Sequence, residues 1–142
     1  MAWETEQRRL DRTRVRRGVA ALLRDPAKGT YYLAEAAGRV AGQLLLTHEW
    51  SDWRNGDFWW IQSVYVAAAF RRRGIFRALF QHVLQEARAA RGVCGLRLYM
   101  DAHNTRARQT YERLGLKRTD YHVFEMDFVL GKRARRNRQQ RA

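Results

Sequence analysis

Residues 62–80 read QSVYVAAAFRRRGIFRALF, and two periodicities meet inside them. Up to Val66 the chain is β-branched and aromatic, as in a strand. From Gly74 onward Ile75, Leu79, Val83 and Ala87 recur at helical spacing, with Phe80 and Leu84 widening the stripe. The loop between them holds Arg71, Arg72 and Arg73 just ahead of a glycine, with Arg77 in the first turn of the predicted helix. First-turn N–H groups lack intrahelical partners and the helix dipole adds positive charge, so a glycine there lets an anion approach the backbone closely. By itself, RRRG also reads as a solvated charge cluster.

Working outward, Phe58–Val66 is a strand, reached through the polar, Trp-bearing connection HEWSDWRNGD, whose Asn55-Gly56 marks a tight turn. Upstream, Tyr31–Glu35 and Arg39–Thr47 form a predicted β-hairpin about Ala36-Ala37-Gly38. Before it, Val15, Val19, Leu22 and Leu23 predict a helix over Arg12–Arg24, capped by Asp11 and stopped by Asp25-Pro26. Downstream, the central helix ends near Gly92, and Val93–Met100 is a strand buried on both faces, parallel to the one ending at Val66. Asn104 opens another helix bearing Ala107, Tyr111 and Leu114; Gly115 stops it, and Lys117–Phe128 supplies one or two last strands. The sum is a mixed α/β domain over residues 1–130.

At 142 residues the chain has room for one core, and 46% hydrophobic residues exclude disorder as its main state. No apolar run approaches the roughly 20 residues of a membrane helix, and MAWETEQRRL is not a signal peptide. A single cysteine, Cys94, and four scattered histidines predict no disulfide and no metal, in a soluble protein of the cytoplasm. The net charge of +14 suggests an anionic partner, although 25 of the 28 basic residues are Arg, a skew that base composition alone can produce. Six of them crowd into residues 131–142, which read as a basic, disordered tail. No nucleic-acid motif is present, so nucleic acid is a partner only through that tail.

Arg71-x-x-Gly74-x-Phe76 with Arg77-Ala78-Leu79 resembles the acetyl-coenzyme A motif of the GNAT superfamily of N-acetyltransferases. Asn104, Ala107, Tyr111, Gly115 and Leu116 are similar to its later motif, in the same order and separation. The resemblance implies a mostly antiparallel mixed sheet with flanking helices and a splayed parallel strand pair at the centre, and acetyl transfer to an amine of a small molecule or peptide. Phe76 departs from a small residue and must turn its ring away from the ligand. Gln62 and Ser63 stand where relatives carry an acidic residue, leaving the general base open. Met1 falls inside what resembles the family's first helix, so its first strand and part of that helix are expected to be absent. The exposed hairpin edge would then pair in a homodimer, or the native chain would be longer.

The resemblance also implies roles. Val64, Tyr65 and Val66, Arg71 to Arg73, Gly74, Ile75, Phe76, Arg77, Asn104 and Ala107 would hold acetyl-coenzyme A, the strands splaying after Val66 and Leu98 to expose backbone groups to pantetheine. Tyr111 would also contact the cofactor and protonate the departing thiolate. An N–H at the strand end would polarise the thioester carbonyl. Glu49 and Asp52 are the candidate bases, while Trp50, Trp53 and Gln62 are candidate acceptor contacts. Two other readings stand beside this one: an acyl-coenzyme A binding protein without turnover, and a basic nucleic-acid-binding module, whose affinity would fall steeply with salt.

Overall fold

The structure is a computed structural model that describes residues 9–130; the basic tail expected at 131–142 lies outside the described residues. The chain divides into two compact units, Met1–Thr110 and Tyr111–Ala142.

The first unit opens with helix α1, Arg12–Arg24, the span its periodicity predicts. Asp11 caps it, its carboxylate accepting the Arg14 N–H at 3.1 Å. Asp25 ends it and caps the following 3₁₀ turn, Pro26–Lys28, through the Ala27 N–H at 3.1 Å. The apolar stripe of α1 is narrow, and it buries no residue: Leu23 is 68% exposed.

Strands β1 (Thr30–Ala36) and β2 (Arg39–Ser51) form the antiparallel hairpin. Its two-residue loop puts both Ala37 (φ 51°) and Gly38 (φ 67°) in the left-handed region, the conformation whose twist suits paired strands. Strand β3 (Gly56–Val66) runs antiparallel to β2, and β4 (Val93–Arg97) parallel to β3, giving the order β1-β2-β3-β4.

Two irregularities of the ladder matter for function. Ser63 pairs with Leu45 and Ile61 with Leu46, so Gln62 is an extra residue in β3, a β-bulge. The Gln43 amide reaches Ser63 at 3.5 Å and the Thr47 hydroxyl reaches Gln62 at 3.5 Å, so both bulge residues turn to the same face. The second irregularity corrects the expected splay. Pairing of β3 with β4 stops at Trp60 and Arg97, not after Val66 and Leu98. A bulge bends its strand and increases local twist, and this one begins directly beyond Trp60. Strand β4 is also shorter than expected and half-buried throughout, and it stands at one end of the described strand order.

Helix α2, Ile75–Ala89, packs across the opposite face of the sheet. Leu79, Phe80, Val83 and Ala87 are buried there, with Leu44, Leu46 and Ile61 beneath. Gly42 permits the close approach: a Cβ on it would lie 2.9 Å from Ile75 Cγ2 and 3.1 Å from the Tyr65 carbonyl oxygen. At the other end of α2 the Tyr32 hydroxyl of β1 donates to Glu86 at 2.5 Å, and His82 Nε2 lies 3.2 Å from the same carboxylate. Loss of solvent, and then the Glu86 carboxylate, push the Tyr32 phenol up to about 12.

Helix α3, Thr105–Arg113, begins behind Asn104, whose Oδ1 accepts the Ala107 N–H at 3.0 Å. The boundary between the units falls inside this helix. In the second unit the N–H groups of Leu114 and Leu116 both bond the Tyr111 carbonyl at 3.1 Å, and Gly115 (φ 90°) turns the chain out of the helix. The last strands expected over Lys117–Phe128 are absent among the described residues. Tyr121, Val123, Phe124, Met126 and Phe128 are all exposed. Strand-forming residues need a ladder to satisfy their backbone groups, and periodicity alone supplies none. No helix among the described residues is long and apolar enough to cross a membrane.

Candidate functional site

The end of β3, the loop behind it and the start of α2 form one continuous feature. After Val66 the chain makes a 3₁₀ turn, Ala68–Phe70, then turns sharply through Arg72, a non-glycine residue at φ 63°. Gly74 follows at φ 79° and begins α2, its carbonyl accepting the Ala78 N–H at 3.0 Å. No side chain caps this helix, and a Cβ on Gly74 would meet no atom within 4 Å. The helix start thus carries no side-chain cap and nothing packs against its glycine, as an anion site at a helix N-terminus requires. Arg72, Arg73 and Arg77 are exposed around it. Phe76 packs its ring toward Phe80, with centroids 6.1 Å apart along the helix.

Backbone direction defines the second part. The Ala67 N–H bonds the Ala41 carbonyl at 2.9 Å. Peptide groups alternate sides along a strand, so those of Tyr65 and Ser63 also point to β2, and those of Val64 and Val66 point the other way. That other side lies beyond the last β3–β4 pair. On it the Val66 carbonyl accepts from Arg71 Nε at 3.0 Å, and Arg71 also lies over the Tyr65 ring. A ligand amide laid along this gap can pair with the strand as an added strand would.

The third part is the sheet face away from α2. Gln43, Thr47 and Glu49 of β2 share it with Phe58, Trp60, Gln62 and Ser63 of β3, and with Arg97 and Tyr99 at the end of β4. Arg97 lies 3.7 Å over the Phe58 ring and donates to Glu49 Oε1 at 2.6 Å. Gln62 Nε2 donates to the Tyr99 hydroxyl at 3.1 Å, and the Tyr99 ring stands 6.0 Å from that of Trp60. The Gln43 Oε1 atom is buried on this face without a hydrogen-bond partner among the described residues.

The expected site residues divide accordingly. Val64, Tyr65, Val66, Arg71 to Arg73, Gly74, Ile75, Phe76 and Arg77 form the strand end, loop and helix start together. Asn104 caps α3, and Ala107 donates to it. Glu49 is ion-paired with Arg97, whereas Asp52 accepts the Trp53 N–H at 2.9 Å in the β2–β3 turn. Trp50, Trp53 and Gln62 are not brought together. Trp50 pairs with Asp57 on the face opposite Glu49, and Trp53 is 83% exposed at the hairpin tip. Tyr111 lies in the second unit, where burial pushes its phenol up.

Arg97 and Tyr99 were not among the expected site residues. Their signal is the parallel pairing of β3 with β4, which sets Arg97 beside Trp60 and carries Tyr99 up to Gln62. Among the described residues no group of three or more His, Cys, Asp or Glu could hold a metal ion.

The family model described as Acetyltransferase (GNAT) family matches residues 1–116. A solved structure of a possible acetyltransferase from Clostridium difficile 630 is 42% identical, with a TM-score of 0.83, covering 90% of this chain and 84% of that one. Among curated relatives, N-alpha-acetyltransferase 40 of Saccharomyces cerevisiae is 38% identical over 95 residues, 63% of this chain and 31% of its own. Mycothiol acetyltransferase of Corynebacterium aurimucosum is 30% identical over 124 residues, 85% of this chain and 40% of its own. The chain thus spans well under half the length of either curated relative.

Proposed function

The chain belongs to the GNAT acetyltransferase family, and on that premise we propose that it moves an acetyl group from acetyl-coenzyme A to an amine by direct attack, without a covalent enzyme intermediate. The observation that carries this reading is the open helix start at Gly74, set directly behind a strand end whose Val64 and Val66 peptides face a gap. These residues fit the donor: an uncapped helix N-terminus with Arg71, Arg72, Arg73 and Arg77 for a pyrophosphate, and backbone groups for the pantetheine amides.

When bound, acetyl-coenzyme A supplies a thioester, a carbonyl activated toward amines. The chain's part is to position and to move protons. A backbone N–H at the strand end polarises the carbonyl oxygen. The amine nitrogen would bond to the carbonyl carbon as the carbon–sulfur bond breaks, and the Tyr111 phenol would give its proton to the leaving sulfur and take one back from water. A tyrosine phenol is protonated at neutral pH and so has a proton to donate, and burial pushes this one further up. The amine proton leaves to water, since Glu49 is engaged by Arg97 and Asp52 by its own turn. The single cysteine is in keeping with a reducing cytoplasm, and β1, paired on one side only among the described residues, offers the edge for a homodimer.

The test is release of free thiol from acetyl-coenzyme A with a panel of amines, beside calorimetry with coenzyme A. Amine-dependent release supports transfer. Tight coenzyme A binding without release supports the second reading, an acyl-coenzyme A binding protein, which the engagement of Glu49 favours.

A further inference from the structure

The sheet face beside the gap is polar yet poor in negative charge. Across β2, β3 and β4 its one carboxylate is Glu49, and Arg97 neutralises it at 2.6 Å. Glu35 is exposed on β1, two strands from β3, and Asp52 lies beyond Glu49 at the hairpin tip. Arg54 over the Phe58 ring and Arg71 over the Tyr65 ring add positive charge. A polyamine or other polycation would find no counter-charge here, and the net charge of +14 would repel it. The strand position beside the thioester gap holds Gln62 and Ser63, neither of which takes a proton at neutral pH.

What the face does offer is a neutral hydrogen-bonding pair. Gln62 and Tyr99 stand two residues past Trp60 and Arg97, the last ladder pair, so they bridge the point where the strands part. The Tyr99 oxygen accepts from the Gln62 amide, which turns the phenolic O–H outward as a donor. Tyr99 is 55% exposed.

Resting on the acetyl-transfer reading, we propose that the acceptor is an α-amine, an amine one carbon from a carbonyl, and that Tyr99, set by Gln62, hydrogen-bonds that carbonyl beside the gap. Amine chemistry fits the missing base. At pH 7.5 about a third of α-amines beside an amide carbonyl are uncharged, against roughly 0.1% of lysine-type amines, so such an α-amine can attack after losing its proton to water. The face favours a neutral or singly charged acceptor body for the same reason that it disfavours a polycation.

The experiment compares thiol release for four acceptors: a dipeptide amide with a free N-terminus, an amino acid amide, an α-blocked lysine with a free side chain, and spermidine. The α-amine acceptors are expected to exceed the other two by at least tenfold in kcat/KM, with rates that level off above about pH 8 as the amine itself titrates. The dipeptide amide and the amino acid amide differ in the group beyond the carbonyl, and their ratio tells a peptide from a small-molecule source. Tyr99→Phe is expected to raise KM about tenfold for α-amine acceptors, leaving the KM for acetyl-coenzyme A unchanged. A faster reaction with spermidine or the lysine side chain overturns the inference and leaves acetyl transfer standing, as does an unchanged acceptor KM in Tyr99→Phe. Thiol release with none of the four, while coenzyme A binds, overturns both.

Discussion

Replacing Gly74 by alanine separates two consequences that the structure assigns to different causes. The folded chain has room for the methyl, since a Cβ at that position meets nothing within 4 Å. The cost to folding is thus conformational: at φ 79° an L-residue loses about 1 kcal/mol relative to glycine. For a chain of this size that lowers Tm by about 3 °C. The cost to binding is steric, because the new methyl occupies the open approach to the first-turn N–H groups of α2. One lost N–H to phosphate bond is worth about 1.5–3 kcal/mol, or roughly ten- to a hundredfold in affinity. Calorimetry with coenzyme A reads the second effect, and a melt without ligand reads the first. A variant with the lowered Tm and wild-type affinity would refute the placement of the pyrophosphate at this helix start.

Three further outcomes are expected. Tyr111→Phe keeps coenzyme A affinity and slows turnover by about a hundredfold, measured where chemistry limits the rate; wild-type turnover would assign the leaving proton to another group. Glu49→Gln keeps the shape of the rate profile against pH and costs at most about 1 kcal/mol of stability, because its ion pair with Arg97 is half-exposed; loss of the acidic limb would make Glu49 the base. The Tyr32 phenol, raised to about 12 from an unfolded value near 10, stabilises the fold while protonated. Its advantage over Tyr32→Phe, about 1 kcal/mol after solvent screening, should be intact below pH 10 and lost as pH rises through 12 in paired melts.

Elements whose signals are local were legible in the sequence. Asp11 and Asp25 bracket α1, the Ile75–Ala87 stripe gives α2, and Asn104 and Gly115 punctuate α3 as caps do. The helix start at Gly74 was legible for the same reason, since a glycine before a helical stripe is a local pattern. Pairing was harder to read. Gln62 and Tyr99 are 37 residues apart, and only the parallel register brings them within 3.1 Å. Arg97 and Glu49 meet across an intervening strand, which no spacing along the chain encodes. The alternation of Phe124, Met126 and Phe128 carried strand propensity without the partner that would realise it.

The bulge in β3 has a bearing on how this scaffold can change. Remove Gln62 in thought and the alternation of Ile61, Ser63 and Val64 between the two faces is restored, with Ile61 still opposite Leu46 and Val64 still opposite Leu44. Gln62 is supernumerary: neither the ladder nor the apolar layer beneath α2 depends on what occupies it. Most positions in a sheet answer first to folding, and mutation there trades recognition against stability. This one escapes that trade. Its side chain projects beside the point where the strands separate, so substitutions at residue 62 can retune which acceptors are accepted while the core beneath stays as it is.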